Sequence, residues 1–202
     1  SGVITVGGTT SFTTDTSDKL ITLNSQNAIT GQVTFSTTGT GGDVTLDNGA
    51  TAISLGTISS GDIGGDLILL TDAAQTISSA ITLSGSGAAL SITVDNGNSL
   101  NVQAALTTNA GSITLSADDD ILFTAAGDLS STNGTISVTA DNDATSDAGS
   151  GGALTMADGT VFNAGSGAIT ATSDENLTLG QMTTTNSSTS AITLNSKSGN
   201  IL

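Results

Sequence analysis

The chain has 202 residues, a formal net charge of −16, only Lys19 and Lys197 as basic groups, and no His, Cys, Pro, Trp or Tyr. Two cations cannot replace the counterions of a nucleic acid backbone, and without Cys or His there is no disulfide and no zinc site of the usual kind. The longest apolar run, Leu67-Ile68-Leu69-Leu70, falls far short of the roughly 20 residues of a membrane-spanning helix, and four Phe cannot form the two aromatic girdles of a membrane barrel.

What remains is a chain that folds on aliphatic residues. Hydrophobic residues make up 36% and charged residues 10%, too little charge for a disordered polyelectrolyte. Ser and Thr together form about a third of the sequence, well above ordinary usage.

Along the chain one phrase recurs: apolar, Thr, apolar. It reads Ile4-Thr5-Val6, Ile21-Thr22-Leu23, Val44-Thr45-Leu46, Leu67-Ile68-Leu69, Ile92-Thr93-Val94, Ile113-Thr114-Leu115, Ile136-Ser137-Val138, Ile169-Thr170-Ala171 and Ile192-Thr193-Leu194. From Ile21 onward the steps cluster around a length of about 23 residues, and a period of this size signals a solenoid. The step into Ile92 is slightly longer than the rest, the step out of it slightly shorter, and the step from Ile136 to Ile169 is much the longest. That long step holds a Gly/Ala/Ser/Asp stretch at about 144–152, expected to be a loop insertion protruding from one corner.

Weaker apolar segments fill each period. They include Leu100-Asn101-Val102 and Ala105-Leu106, then Ile121-Leu122-Phe123 and Leu129, then Leu177-Thr178-Leu179 and Met182. Their alternation predicts about three short strands per period, separated by Gly/Asn/Asp/Ser turns. Helical spacing is missing and β-branched content is high. The expectation is an all-β, parallel β-helix of eight to nine coils, a single array over 1–202. Ile21, Leu23, Val44, Leu46, Ile92, Val94, Ile113, Leu115, Ile136, Val138, Ile192 and Leu194 should face inward. An antiparallel sandwich is the competing fold, because Asn48-Gly49, Asn96-Gly97 and Asn133-Gly134 are hairpin-turn signals. A sandwich gives no reason for one phrase to return at a nearly fixed interval.

Stretches such as Gly111-Ser112-Ile113-Thr114-Leu115-Ser116-Ala117-Asp118 and Asn133-Gly134-Thr135-Ile136-Ser137-Val138-Thr139-Ala140 resemble the repeats of filamentous-haemagglutinin-like exoproteins and giant bacterial adhesins. The resemblance spans nearly the whole chain and is one of repeat style. It implies an extracellular, right-handed β-helix serving as a shaft or stalk, and it brings no catalytic residues.

Catalysis finds little support. A hydroxyl nucleophile needs a His or Lys base, and the two Lys lie near opposite ends. A glycosidase needs only two carboxylates, but the aromatic platforms that hold sugars are missing. The expectation is a protein that is not an enzyme. Calcium-loop signatures of the nonapeptide and EF-hand types are absent.

Two surface patterns remain. The central Thr of each phrase points outward if its neighbours point in, giving a column of Thr5, Thr22, Thr45, Thr93, Thr114, Thr170 and Thr193. Regular paired Thr columns on flat solenoids can bind ice. The second column expected here, Asn24, Asp47, Asp95, Ser116, Thr139, Thr172 and Asn195, is mixed, which favours ordinary solvent-facing strand residues. The second pattern is acidic. Stepping by the repeat sets Asn96-Gly97-Asn98 beneath Asp118-Asp119-Asp120, then Asp141-Asn142-Asp143, then Asp174-Glu175-Asn176, with Lys197 above. Stacked carboxylates recruit cations or rise in pKa, and hard oxygen ligands suit Ca²⁺. Asp118, Asp120, Asp141, Asp143, Asp174 and Glu175 are the candidate ligands of a weak divalent-cation ladder.

The functional expectation is a structural segment of an extracellular bacterial filament or adhesin. Both ends read as repeat, so coils should stack end to end on identical copies or on more of the same array. No nucleic acid and no inserted membrane segment are expected. The alternative is a binding module whose face recognises a glycan or host surface.

Overall fold

In the computed structural model the described residues are 2–142 and 151–202. They form an all-β solenoid with no helix, and every strand pair among them is parallel. The expected insertion lies outside the described residues except for Gly151 and Gly152.

One long sheet runs the length of the molecule. Its eight strands are Ile21–Leu23, Val44–Asp47, Leu67–Thr71, Leu90–Val94, Ile113–Ala117, Ile136–Ala140, Ile169–Ser173 and Ile192–Ser196, each beside the next. A second sheet stacks Gln75–Ile77, Leu100–Val102, Ile121–Phe123, Leu154–Met156 and Leu177–Thr178. A third stacks Ile81–Leu83, Leu106–Thr108, Leu129–Ser131, Val161–Asn163 and Gln181–Thr183. Near the amino end, Thr5–Val6 pairs with Ala28–Ile29 and Thr10–Thr13 with Val33–Ser36. Three faces thus enclose one core, as the three apolar segments per period require.

Alternation explains why these residues make strands. In Leu90–Val94, Ile136–Ala140 and Ile169–Ser173 every second residue is buried and those between are half-buried. The core is a set of aliphatic ladders, with Leu67, Leu90, Ile113, Ile136 and Ile169 all fully buried in consecutive coils. Phe123 and Phe162 meet edge to face with ring centroids 4.9 Å apart, a geometry favoured by their quadrupoles. The residue two before the strand is pinned too. A Cβ on Gly134 would lie 1.9 Å from the carbonyl oxygen of Gly111 one coil below, so only glycine fits that corner.

The register corrects the phrase-based spacing at one coil. Leu90, not Ile92, pairs with Leu67 on one side and Ile113 on the other. The step is therefore uniform from Ile21 through Val44, Leu67, Leu90 and Ile113 to Ile136. The one longer step, from Ile136 to Ile169, follows. Because side chains alternate with period two, a shift of two residues keeps Ile92 and Val94 in the core, and both are buried. Of the residues expected inside, Leu23 and Leu194 are half-buried, and Ile192 is 42% exposed. Ile192 sits in the outermost strand of the long sheet, which has a neighbour on one side only among the described residues.

One coil departs from the pattern. Between Asp47 and Leu67 there are only single bridges, Leu55 to Val33 and Ile58 to Ile81. Buried amide side chains take the place of missing main-chain partners here. Asn48 Oδ1 accepts from Ile29 N at 2.9 Å, and its Nδ2 donates to the carbonyls of Ile29 and Thr51, both at 3.0 Å. Gln75 treats Ile53 in the same way, accepting from its N at 2.7 Å and donating to its carbonyl at 2.8 Å. Asn27 joins Ile4, Leu23 and Asp47 through three bonds of 2.9 Å. Asn48-Gly49, a hairpin signal in the sequence, is a solenoid corner whose asparagine is wholly buried.

Candidate surface sites: an acidic ladder and a hydroxyl face

The acidic ladder lies one residue beyond the strands of the long sheet. Thr71, Val94 and Ala117 are register partners, so Asp72, Asp95 and Asp118 follow one above another. Asp141 continues the row after Ala140, the partner of Ala117. Asp174 and Lys197 complete it after Ser173 and Ser196. The residue beneath Asp118 is thus Asp95, not Asn96. Asp72 and Asp95 belong to the ladder and were missed by counting from Ile92. Counting back from Asp118 by the uniform coil length finds both.

Each candidate ligand among the described residues has a partner, on its side chain or, for Glu175, on its main chain. Asp118 Oδ2 faces Gly97 N at 3.4 Å, and Asp120 Oδ1 accepts from Ala153 N at 2.9 Å. Between them, Asp119 Oδ2 accepts from the Ser99 hydroxyl at 2.6 Å. Asp141, with its side chain 8% exposed, pairs with Lys197 at 3.6 Å. Asp174 takes the Ser198 hydroxyl at 3.4 Å on its carboxylate and at 2.8 Å on its carbonyl. Glu175 contributes its main-chain carbonyl, which accepts from Ser173 and Ser196. Asp143 lies outside the described residues. Among the described residues no three acidic side chains converge as metal ligands would.

Most of these bonds are to N–H and O–H donors of a neighbouring coil, so the carboxylates work as corner fasteners. Asp43 and Asp66 do the same before the long strands, accepting from Asp66 N at 2.9 Å and Ala89 N at 2.8 Å. The stacking still has an electrostatic consequence. The Asp95 carboxyl is pushed above its ordinary range, first by burial and then by the charges of Asp118, Asp72 and Asp47. Both causes disfavour the ionised form.

The second site is the outer face of the long sheet. The corrected register removes Asp95 from the second outward column and puts Thr93 in its place. From Ser91 to Thr172 the face then shows two unbroken ranks. One is Ser91, Thr114, Ser137 and Thr170, and the other is Thr93, Ser116, Thr139 and Thr172. Adjacent members repeat about 4.8 Å apart along the axis. Among the described residues none of these eight hydroxyls is hydrogen-bonded to protein, and the Ser116 Oγ is also shielded from solvent. Hydroxyls at the corners behave otherwise: Thr71, Thr108, Ser131 and Thr160 all donate to main-chain carbonyls. Ile68 and Leu70 end both ranks towards the amino end.

Comparison with protein families, curated proteins and solved structures finds no match to this chain.

Proposed function

We propose that this β-solenoid is a structural, non-enzymatic segment of an extracellular bacterial filament or adhesin shaft, extended along its axis by strand stacking. The observation that carries this reading is the long sheet, eight parallel strands in one ladder ending on Ile192–Ser196. A free strand edge accepts a further strand through main-chain hydrogen bonds. That strand is supplied by a following coil or a second copy. Ile192, 42% exposed, would be covered by it. The likeness of the repeats to those of haemagglutinin-like exoproteins supports the adhesin setting. The −16 charge opposes lateral sticking of rods at low salt, which favours growth along the axis.

Sedimentation and electron microscopy across a concentration series test this. Rods of constant width that lengthen with concentration are expected, and Ile192→Lys should shorten them without unfolding the coils. A species that stays one solenoid long at every concentration would count against axial assembly.

The two hydroxyl ranks favour a second reading, an adhesin face that recognises a neutral glycan. The seven of these hydroxyls that reach solvent, all but the shielded Ser116, can donate to and accept from a polyhydroxylated surface. Thr114→Val with Thr170→Val should abolish retention on insoluble polysaccharide while leaving the rods intact; unchanged retention removes this reading.

A further inference from the structure

Three Asn-Gly pairs occur in the chain: Asn48-Gly49, Asn96-Gly97 and Asn133-Gly134. In such a pair the main-chain nitrogen of the glycine can attack the asparagine side-chain carbonyl carbon. The nitrogen loses its proton, the adduct expels ammonia, and a five-membered succinimide closes. Water then adds to either ring carbonyl and opens it to aspartate or isoaspartate. Three conditions favour the attack: an asparagine amide free to turn, a following N–H outside the hydrogen-bond ladder, and no side chain crowding the nitrogen. Glycine meets the last of these in every pair.

The fold separates the three pairs. Asn48 is buried, with its amide held by Ile29 and Thr51, and Gly49 N donates to Asp47 Oδ1 at 2.9 Å. Asn133 is exposed, but its Oδ1 accepts from the Ser166 hydroxyl at 2.8 Å. Its glycine is locked as well: Gly134 N donates to the buried Ser131 Oγ at 2.8 Å. Asn96 differs in its free amide and in how weakly its glycine is held. It is exposed, and among the described residues its side-chain amide makes no hydrogen bond. Gly97 is exposed, and a Cβ there would meet nothing within 4 Å. Its N–H meets Asp118 Oδ2 at 3.4 Å, long for a hydrogen bond.

The register explains the protrusion. Asp118 and Ile121 sit over Asp95 and Leu100, so the lower coil spans the same corner with two more residues. The pair Asn96-Gly97 is that excess, and both residues take the left-handed conformation, φ 64° and 66°.

We propose that Asn96 is a site of spontaneous deamidation through Gly97, and that the fold protects Asn48 and Asn133. The reaction consumes water, releases ammonia and is accelerated by hydroxide. Its product sets a new carboxylate beside Asp95 and Asp118, so the acidic ladder gains charge as the protein ages.

The test is incubation of the purified protein in mildly alkaline buffer, with peptide mapping by mass spectrometry. Modification is expected first at Asn96, as a mixture of aspartate and isoaspartate, with Asn48 and Asn133 still amides. Gly97→Ala and Asn96→Gln should each lose the early ammonia release. In denaturant the selectivity should vanish, with all three pairs reacting alike. An Asn96 that stays an amide in the folded protein, or an Asn133 or Asn48 that reacts as fast, would overturn the proposal.

Discussion

The coil between Asp47 and Leu67 and the coils from Leu90 to Ser173 face the same problem and solve it differently. In the later coils main chain pairs with main chain on three faces, and polar side chains fasten only the corners. Ile29 meets no strand in the coil above it and Ile53 belongs to none, and Asn48 and Gln75 supply the missing donor and acceptor from their amides. A buried peptide group left without a partner is expensive, so the irregular coil depends on a few atoms where the regular coils depend on many. A solenoid distributes its stability over nearest-neighbour interfaces, which lets one coil be built by other means without disturbing its neighbours.

The largest expected effect strikes the irregular coil. Asn48→Leu keeps the volume but orphans the N–H and C=O of Ile29, at about 1–3 kcal/mol for each group. Asn101→Leu, on the outer face of the regular second sheet, should stay within about 0.5 kcal/mol. Urea unfolding of the two variants measures the contrast; equal costs would show that the amide contacts do not stabilise the coil.

A smaller effect of definite sign is expected at Asp95. Its carboxyl is raised in the folded state, so the native protein holds that proton more tightly than the unfolded chain does. This group's contribution to stability therefore falls as pH rises from about 4, the ordinary carboxylate range, through the raised value, and the penalty is complete above it. Asp95→Asn should melt higher than the parent at pH 7, with the gap closing below about pH 4 and shrinking in salt. A gap that persists in acid would point to packing instead of charge.

The smallest effect concerns calcium. The carboxylates of Asp118, Asp120, Asp141 and Asp174 are engaged with N–H and O–H donors or with Lys197, so millimolar Ca²⁺ should leave the melting temperature unmoved. A rise that chelation reverses would restore the cation ladder.

Much of this was legible in the sequence. Hydrophobic alternation and the periodic return of one phrase are consequences of strand geometry and coil length, and both survive as stacked ladders. The error at Ile92 arose because Leu90-Ser91-Ile92 and Ile92-Thr93-Val94 read equally well as strand phrases. Only pairing with Leu67 and Ile113 decides between them, and that choice moved the acidic ladder and completed the hydroxyl ranks. The amide rungs were illegible for another reason. Asn48 precedes a glycine, which signals a turn, and whether its side chain points in or out is set by the coil below it.

The uniform register is the central claim, and cysteine cross-linking tests it most directly, since the native chain has no Cys. Thr114 lies opposite Ser91 and diagonal to Thr93. A disulfide spans Cα atoms about 4.4–6.8 Å apart, which suits direct partners on adjacent strands about 4.8 Å apart and excludes the diagonal. The paired variant Ser91→Cys with Thr114→Cys should oxidise readily within one folded chain, and Thr93→Cys with Thr114→Cys should not. The reverse result would restore the phrase-based register and contradict the uniform coil length.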